Sequence, residues 1–349
     1  MKKTLLIILI ITFVLNSYSQ IGGTATYKFL DLPTSARISA LGGNNISIAD
    51  NDLNLVYNNP ALLDSSMANS LSMNYVSYFA DINWGYASYA FKTKKLGTIA
   101  AGMHYINYGE FTQADEFGNK TGKFYASEYA LNIFWAYQID SLWKAGINIK
   151  PILSVLESYN SFGLALDFGL HYNNNKRGLS AALVVKNLGS QIKPYYGTNY
   201  EPLPFDLQIG MTKKLAHAPF RFSILAQHLQ KPNLNYTIPE DENVIQFDNQ
   251  TTTKENVFLK YSDMAMRHVI VGLEFMPTKA FTANLGYNHQ RRQELKLTDK
   301  AGISGFSYGI GINLKKFYIG YGRANYHLAN ASNNISVRIN FSEFYNKKN

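Results

Sequence analysis

The sequence alternates with a period of two residues along most of its length. Between residues 125 and 137, large apolar side chains such as Leu131 and Ile133 occupy most odd positions. Small or polar side chains such as Ala130 and Asn132 occupy most even positions. Because successive side chains of a β-strand point to opposite faces, this pattern predicts strands that separate two different environments.

Fourteen segments share the alternating pattern, and most of them are 10–14 residues long. Strands of soluble proteins average about 5–6 residues, whereas strands that cross a membrane need about 9–11. No long helical pattern separates the segments, so neighbouring strands should pair antiparallel. The sequence therefore predicts an all-β fold, a transmembrane antiparallel β-barrel of about 14 strands. The predicted strands are 71–80, 83–92, 97–108, 123–138, 142–155, 160–172, 178–188, 204–215, 219–230, 267–276, 280–289, 303–314, 316–327 and 333–344.

The connections between these segments alternate in length. Those at 93–96 and 140–141 are short, whereas those at 109–122, 189–203 and 231–266 are long. Outer-membrane barrels have short periplasmic turns and longer extracellular loops. An even number of strands then predicts that both termini lie on the periplasmic side and that the loop 231–266 is extracellular. Closure of the barrel would also remove the strand edges that invite aggregation.

The apolar face of such a barrel meets lipid, so the small and polar face lines the lumen. Charged residues make up 16% of the chain, against roughly 25% in a soluble domain. This low fraction favours a membrane barrel over a soluble β-sandwich. The candidate lumen-facing polar residues are Glu128, Asp167, Glu274 and Arg338, and the candidate residues of the aromatic girdles are Trp84, Trp135, Trp143 and Tyr318.

The N-terminus carries the features of a secretory signal peptide. Two lysines precede an apolar run at 5–15, and the small residues Ser17 and Ser19 precede a cleavage site before Gln20. The run of 11 residues is too short for a membrane-spanning helix, which needs about 20. Residues 1–19 are therefore predicted to be removed on export, and the barrel pattern predicts a bacterial outer-membrane location.

Residues 20–68 precede the first predicted strand and do not alternate. They are rich in Gly, Asn, Asp and Ser, and they include the sequence Asn-Pro-Ala-Leu-Leu at 59–63. A segment of about fifty residues has the right size to fold into the lumen as a plug, and a fourteen-strand barrel would otherwise enclose a wide channel. The predicted organisation is a signal peptide (1–19), an N-terminal plug (20–68) with the motif Asn59, Pro60 and Ala61, and an outer-membrane barrel (69–349).

Fourteen strands, an N-terminal plug and an Asn-Pro-Ala-x-Leu motif together resemble the FadL family of outer-membrane proteins. Residues 59–63 match that motif approximately, with Leu62 where the family often has Gly. Further blocks resemble the PorQ-like barrels of the type IX secretion system, and one resembles a segment that these share with the related PorV-like barrels. The PorQ-like blocks are 22–30, 32–37 and 40–43, and the shared segment is 185–189.

The type IX resemblance implies a non-catalytic barrel that anchors a PorZ-like soluble surface subunit of the cargo attachment complex. Other secretion-system components, outer-membrane lipid and lipopolysaccharide are the further partners that it implies. The loop 231–266 is the candidate docking site, because long structureless loops are uncommon unless functional. Packing of this loop on its own barrel is the alternative. The candidate contact residues are Tyr236, Ile238, Phe247, Phe258 and Tyr261.

The FadL resemblance implies a second function, the transport of hydrophobic small molecules across the outer membrane. Such a transporter would need an apolar pocket under the plug and a lateral opening in the wall. Lys150 and Pro151 interrupt the fifth predicted strand, which predicts a bulge or an early strand end at this position. This interruption is the candidate kink for a lateral opening.

Signals for catalysis are weak. The chain has no Cys, which excludes thiol enzymes, disulfides and cysteine-liganded zinc. Residues 305–309 match G-x-S-x-G, but that motif needs a strand-to-helix turn and here lies within an alternating strand. The seven His are scattered without a ligand pair, and the net charge of +9 comes without a nucleic-acid-binding motif. We therefore expect no enzyme activity, no cofactor, no metal site and no nucleic-acid partner.

Overall fold

The computed structural model describes residues 25–234, 257–295, 303–325 and 331–345. The predicted signal peptide, 1–19, lies outside these residues. Within the described ranges, each of the fourteen predicted segments coincides with a β-strand. The strands are β1 (Ser70–Ser77), β2 (Asn83–Thr93), β3 (Gly97–Ala114), β4 (Lys120–Gln138), β5 (Trp143–Leu156), β6 (Tyr159–Asn174), β7 (Leu179–Lys193), β8 (Asp206–Lys214), β9 (Phe220–Ala226), β10 (Val269–Phe275), β11 (Phe281–Asn288), β12 (Phe306–Leu314), β13 (Phe317–Asn325) and β14 (Ala331–Asn340).

The strands form a closed barrel in which each strand pairs antiparallel with its neighbours in the sequence. The barrel closes between its first and last strands, where Ser70 is paired with Asn340 and Ser77 with Asn333. Every strand therefore has a partner on both sides, which removes the exposed edges of an open sheet. The predicted fold class, an antiparallel barrel of fourteen strands, is confirmed.

The two ends of the barrel differ in their connections. At one end, here called the turn end, turns of two to five residues join the strands, as predicted. The opposite end, here called the loop end, carries the long connections 194–205 and 227–268. The predicted long loop 109–122 is instead a hairpin, because β3 continues to Ala114 and β4 already begins at Lys120.

The outer surface of the barrel is apolar. On β4, Leu131, Ile133 and Trp135 point outward and are 38–43% exposed, while Asn132 and Phe134 between them are fully buried on the inner face. An outward-facing apolar belt is what a lipid environment requires of a membrane barrel. The period-two pattern of the sequence therefore separates lipid from lumen.

Two of the predicted girdle residues face the lumen. Trp84 is 1% exposed, and its indole Nε1–H donates to the carbonyl of Pro33 at 3.2 Å. Tyr318 is 6% exposed, and the guanidinium of Arg338 lies 5.2 Å from its ring centre. The prediction for these two residues is wrong because their register on the strand, rather than their aromatic character, decides which face they occupy.

Lys150 and Pro151 lie within one continuous strand, so the predicted bulge or early strand end is wrong. β5 pairs with β6 through both residues, while the ladder to β4 skips two pairs without a change of register. Proline has no backbone N–H to donate, which accounts for the missing pairs. The ladder shifts register instead beside Gly109 on β3 and beside Asn187 on β7, and both residues have positive φ.

Residues 25–68, here called the N-terminal segment, lie against the inner wall of the barrel. Helix α1 (Ala36–Ala40) packs against β11–β14, and the turn at Pro60–Leu62 packs against β4–β6. The segment thus contacts strands from both halves of the barrel. Its elements are α1 (Ala36–Ala40) and the 3-10 helices Lys28–Asp31, Leu53–Tyr57, Pro60–Leu62 and Ser65–Met67.

The N-terminal segment runs from the loop end to the turn end. The Thr26 N–H donates to the carbonyl of Pro202 in the connection 194–205 at 3.0 Å. Asn69, just after the segment, is bonded to Ala90 and Phe341 at the turn end. The prediction that both termini lie at the turn end concerns residues outside the described ranges, but the described chain begins at the loop end.

Three further helices are α2 (Val257–Arg267), α3 (His289–Glu294) and α4 (Ser342–Tyr345). Helices α2 and α3 belong to connections at the loop end, and α4 follows β14 at the turn end. Of the helices in the described ranges, none has the length and apolar character needed to cross a membrane.

We expect a charge on the outer face to be costly at mid-strand and tolerated near a strand end. Ile310 lies at the centre of β12 and Leu314 at its turn end, on the same outward face. Ile310→Arg should destabilise the barrel by roughly 2–4 kcal/mol and Leu314→Arg by about 0–1, because the lipid cost of arginine falls toward the interface. Guanidinium unfolding in lipid vesicles, followed by tryptophan fluorescence, would measure both. Equal costs for the two variants would contradict a lipid-facing β12.

Candidate functional site

Arg37 on α1 is the centre of a buried charge network. Its Nε donates to Oε1 of Glu274 on β10 at 2.8 Å, and its terminal nitrogens bind Asp50 at 2.7 Å and Asp52 at 3.1 Å. The Arg37 side chain is 8% exposed and that of Glu274 is 1% exposed. Burial alone would lower the pKa of Arg37, but Asp50, Glu274 and Asp52 raise it well above its usual range. Arg37 therefore stays charged inside the barrel.

Two arginines of the wall complete this network. Arg221 on β9 binds Glu274 at 2.5 Å and Asp50 at 3.2 Å, and Arg338 on β14 binds Asp52 at 3.1 Å. Three arginines thus face three carboxylates, which offsets the high cost of burying each charge alone. Burial would raise the pKa of Asp50, but the arginines around it outweigh that effect and hold it below its usual range. Two of the predicted lumen-facing residues, Glu274 and Arg338, belong to this network.

The motif Asn59, Pro60 and Ala61 forms a tight turn against β5 and β6. Oδ1 of Asn59 accepts from the Ala61 N–H at 2.9 Å, and its Nδ2 donates to the carbonyl of Ile46 at 2.8 Å. On β5, Gly146 lies so close that a methyl group in its place would overlap the Pro60 backbone. The motif therefore fixes a close approach between the N-terminal segment and the wall.

The predicted lumen-facing residue Asp167 is buried in a second group of charges. It binds Lys150 at 2.8 Å, and both side chains are 0% exposed. The ammonium groups of Lys150 and Lys186 lie 5.3 Å and 4.9 Å from the ring centre of Tyr57 in the N-terminal segment. This placement lets the cations of the wall hold an aromatic ring of the segment.

A cleft of about 510 Å³ opens at the loop end of the barrel. Its sides are the β3–β4 hairpin and the connection 194–205, and the start of the N-terminal segment also lines it. Its lining is mostly aromatic or apolar and includes two carboxylates. This loop-end cleft is lined by Ala25, Thr26, Tyr27, Lys28, Tyr108, Phe111, Ala126, Glu128, Leu156, Tyr195 and Glu201.

A β-bulge on β3 shapes one side of the cleft. The pairing with β4 shifts between Asn107 and Glu110, and Gly109 within the bulge has a φ of 83°, which favours glycine. One extra residue reverses the alternation of the strand. Phe111 therefore lines the cleft, whereas Glu110 points away from it and binds Lys123 at 2.6 Å.

The wall holds the three tyrosine hydroxyls of the cleft. Tyr108 donates to Glu128 at 2.6 Å, Tyr195 donates to Ser154 at 2.6 Å, and Tyr27 is bonded to a serine of β6. Burial raises the pKa of the Tyr195 hydroxyl to about 12, so this group stays protonated at neutral pH. Because the hydroxyls are occupied, the rings are the parts of these side chains left for a ligand.

A second cavity, of about 110 Å³, lies between the N-terminal segment and the wall. Its volume suits a few water molecules rather than an aromatic molecule. The lining is polar, and His228 lies 3.3 Å from Asp206 within it. Its charged lining residues are Asp31, Lys186, Asp206, His228 and Arg291.

Most of the predicted partner loop lies outside the described residues. Tyr236, Ile238 and Phe247 fall there, and so does the side chain of Phe258. Tyr261 lies on α2 and is 64% exposed. The described part of the loop is tied to the barrel, because Asp263 on α2 binds His289 at the start of α3 at 2.8 Å.

The serine of the 305–309 motif is bonded within the wall. Ser307 is 0% exposed; its Oγ donates to the carbonyl of Ala40 at 2.9 Å and accepts from the Gly42 N–H at 2.9 Å. These bonds attach the N-terminal segment to β12 and leave no exposed nucleophile. In the part of the chain that the structure describes, no group of three His, Asp or Glu is arranged to hold a metal ion.

The sequence pattern did not identify the aromatic residues of the cleft. Tyr27, Tyr108, Phe111 and Tyr195 come from three separate elements, and only the fold brings them together. One local signal was available, because alternation on β3 breaks at Gly109. A break in alternation locates a bulge, but it does not show which distant residues the bulge will face.

Comparison with known structures identifies the fold. A mutant of the TodX monoaromatic hydrocarbon channel superposes with a TM-score of 0.54 at 13% identity, covering 88% of this chain and 98% of that one. The toluene transporter TodX of Pseudomonas putida has a TM-score of 0.50 at 12% identity, covering 88% and 97%. This chain shares the fold of TodX. The sequence matches no protein-family model and no curated protein sequence, and the structural likeness at this identity establishes the fold alone.

We expect Arg37→Gln to loosen the N-terminal segment. The change leaves Glu274, Asp50 and Asp52 with only two arginines, and removing one partner of a buried ion pair costs roughly 3–5 kcal/mol. Chymotrypsin digestion of the folded protein in detergent, read by mass spectrometry, should release peptides from 25–68 much faster than in the wild type. Lys123→Gln, which removes an exposed ion pair of the β3–β4 hairpin, is the control. Equal resistance of both variants would contradict the role of Arg37.

Asp64 of the N-terminal segment forms an ion pair with Lys144 of β5 at 2.8 Å. We expect this ion pair to break only in strong acid. Burial would raise the pKa of Asp64, but its bond with Lys144 and the Ser66 N–H lower it to about 2. Because an unfolded Asp titrates near about 4, the ion pair stabilises the docked segment fully above that pH and is lost as the pH falls through about 2.

Pepsin digestion from about pH 4 down to about pH 1 would test this window. Wild-type protein should release peptides from 60–68 only at the acid end of this range. Asp64→Asn, which lacks the ion pair at every pH, should release them already at about pH 4. Equal release from both proteins at the upper pH would show that Asp64 does not hold the segment.

Proposed function

We propose that this protein is an outer-membrane channel that admits small apolar or aromatic molecules through the loop-end cleft. The cleft itself carries the proposal. Its volume of about 510 Å³ falls within the range of small-molecule sites, and such sites are mostly apolar with a few polar groups. Three tyrosines, a phenylalanine and Leu156 give this cleft that character.

The similar structures support the same class of substrate. The names of those proteins describe a toluene transporter and a monoaromatic hydrocarbon channel. One fold serves many functions, so the shared barrel is a weaker argument than the site. The combination of the shared barrel with an aromatic cleft at its loop end favours a channel over a purely structural barrel.

The barrel surface and the N-terminal sequence support an outer-membrane location. We propose that residues 1–19 direct export and that the apolar outer belt inserts into the outer membrane. Short turns face the periplasm in such barrels, so the loop end faces the cell exterior. The cleft is then at the cell surface, where a molecule from outside first meets the protein.

Passage from the cleft requires a way around the N-terminal segment. That segment is buried below the cleft and is bonded to both halves of the wall. The irregular pairing of β3 beside Gly109 is next to the cleft-lining residues Tyr108 and Phe111. We propose that a molecule leaves the cleft sideways at this bulge, because the ladder of the wall is already interrupted there.

The second predicted function, in which this barrel anchors a soluble surface subunit, stays a prediction. Its candidate contacts Tyr236, Ile238 and Phe247 lie outside the described residues. The resemblance to type IX barrels gains no support from the similar structures, which are hydrocarbon channels. No contact among the described residues favours this role over the channel.

Ligand binding would test the channel. We expect toluene and benzyl alcohol to bind the purified, detergent-solubilised protein, measured by saturation-transfer NMR and calorimetry. Tyr195→Ala removes a ring of the cleft and should weaken binding about tenfold. Tyr200→Ala is the matched control, since Tyr200 lies in the same connection, is 60% exposed and does not line the cleft.

The same preparation would separate the two functions. If neither toluene nor benzyl alcohol binds, the channel proposal is wrong. Capture of a stoichiometric soluble protein with the tagged barrel from solubilised outer membranes, together with absent binding, would favour the anchoring role. A barrel that binds aromatics and is purified without a protein partner would support the channel.

A further inference from the structure

Resting on the proposed channel function, we propose that the loop-end cleft selects molecules that carry a protonated amine on an aromatic or apolar body. The cleft combines aromatic rings with two carboxylates, Glu128 and Glu201, that come from different elements. Aromatic faces and carboxylates are the two groups that recognise organic ammonium ions. A plain hydrocarbon would use the rings and leave the carboxylates without a role.

Among the described residues, the buried carboxyl group of Glu128 has no cationic partner. It is 4% exposed on β4 and accepts hydrogen bonds from the hydroxyls of Tyr108 and Ser154. Both donors are neutral, and no lysine or arginine of the described residues forms an ion pair with it. A buried carboxylate without a cation gains strongly from a positively charged neighbour, and a bound ammonium group would provide one.

Glu201 adds a second carboxylate at the rim. Its backbone N–H donates to Oε1 of Gln191 at 2.7 Å, which fixes this part of the connection over the barrel. The cation that lines the cleft, Lys28, is exposed and binds Asp31 at 3.3 Å. The charge of Lys28 is thus already paired, and the cleft keeps an excess of negative charge.

Two of the aromatic rings that line the cleft lie close to each other. The ring centres of Tyr27 and Tyr195 are 6.4 Å apart, with an angle of 53° between the planes. Tyr108 is bound to the Glu128 carboxylate through its hydroxyl. A ligand that places its ammonium group near Glu128 therefore has aromatic rings around its apolar body, which suits a benzylamine-like molecule.

The negative cleft is a local departure from the rest of the protein. The whole chain has a net charge of +9, and the Arg37 network below the cleft pairs three arginines with three carboxylates. The unpaired carboxylate at the loop end therefore follows neither from the overall charge nor from the Arg37 network. The excess charge belongs to the cleft itself.

Three probes with the same ring would test the preference in the purified full-length protein. They are benzylamine, which is protonated at neutral pH, benzyl alcohol, which is neutral, and benzoate, which is negative. We expect benzylamine to bind at least about tenfold more tightly than benzyl alcohol, and benzoate to bind most weakly. Equal affinities for benzylamine and benzyl alcohol would overturn the inference.

Variants would assign the preference to the cleft. Glu128→Gln should reduce the preference for benzylamine over benzyl alcohol to within about twofold. Glu201→Gln should reduce it less, because this carboxylate is exposed and screened by salt. Glu110→Gln is the control, since Glu110 lies on the same hairpin and points away from the cleft. A preference that survives in both Glu128→Gln and Glu201→Gln would also overturn the inference.

The outcomes separate this inference from the channel on which it rests. Binding of benzyl alcohol and toluene without a preference for benzylamine would leave the channel standing and remove the amine selectivity. Binding of none of the compounds would remove both. The heat-dependent mobility of the barrel on denaturing gels would show whether each variant is folded. If Glu128→Gln does not fold, Glu201→Gln provides the test.

Discussion

Charges buried inside a barrel need partners, and here the wall and the N-terminal segment supply partners for each other. Glu274 lies between Arg37 and Arg221, and the two arginines bind its two carboxylate oxygens. Arg338 of the wall binds Asp52 of the N-terminal segment, so the ion pairs of the wall are complete only with the segment in place. The N-terminal segment is therefore an integral part of the lumen and not a separate domain placed inside a finished pore. The segment and the inner wall share one set of ion pairs. Removing a member of this set leaves a buried charge with too few partners.

The strands could be predicted from the sequence because lipid and lumen impose opposite demands on alternate residues. That constraint acts on each strand locally, so it is visible without knowledge of the fold. The prediction failed for Trp84 and Tyr318, where the residue type suggested the outer face and the register of the strand placed the side chain in the lumen. It also failed at Pro151, because a strand inside a closed sheet can lose two pairs on one side while its other side stays bonded. The hairpin 97–138 is longer than predicted because its polar tip still pairs beyond the apolar belt.

The cleft could not be predicted in the same way. Its residues are brought together by three events that the sequence pattern does not link: a bulge on β3, a connection that folds over the barrel, and a segment that starts at the loop end. The plug motif around Asn59 was recognisable because it is contiguous, whereas the chemistry of the cleft is spread over more than 170 residues, from Ala25 to Glu201. The family resemblance was informative at the level of the barrel. The finer resemblance to secretion barrels was carried by blocks in the N-terminal segment, where the structure shows packing against the wall.

The contacts of α1 also constrain how the molecule assembles. The backbone N–H of Ala36 donates to Oγ of Ser336 at 2.7 Å, across 300 residues of sequence. The first helix of the described chain is thus packed against the last strand of the barrel, and contacts of such separation slow folding. Strand β14 also forms the seam with β1 that closes the sheet. The strand that completes the circle thus also contacts α1, which couples closure of the barrel to docking of the N-terminal segment.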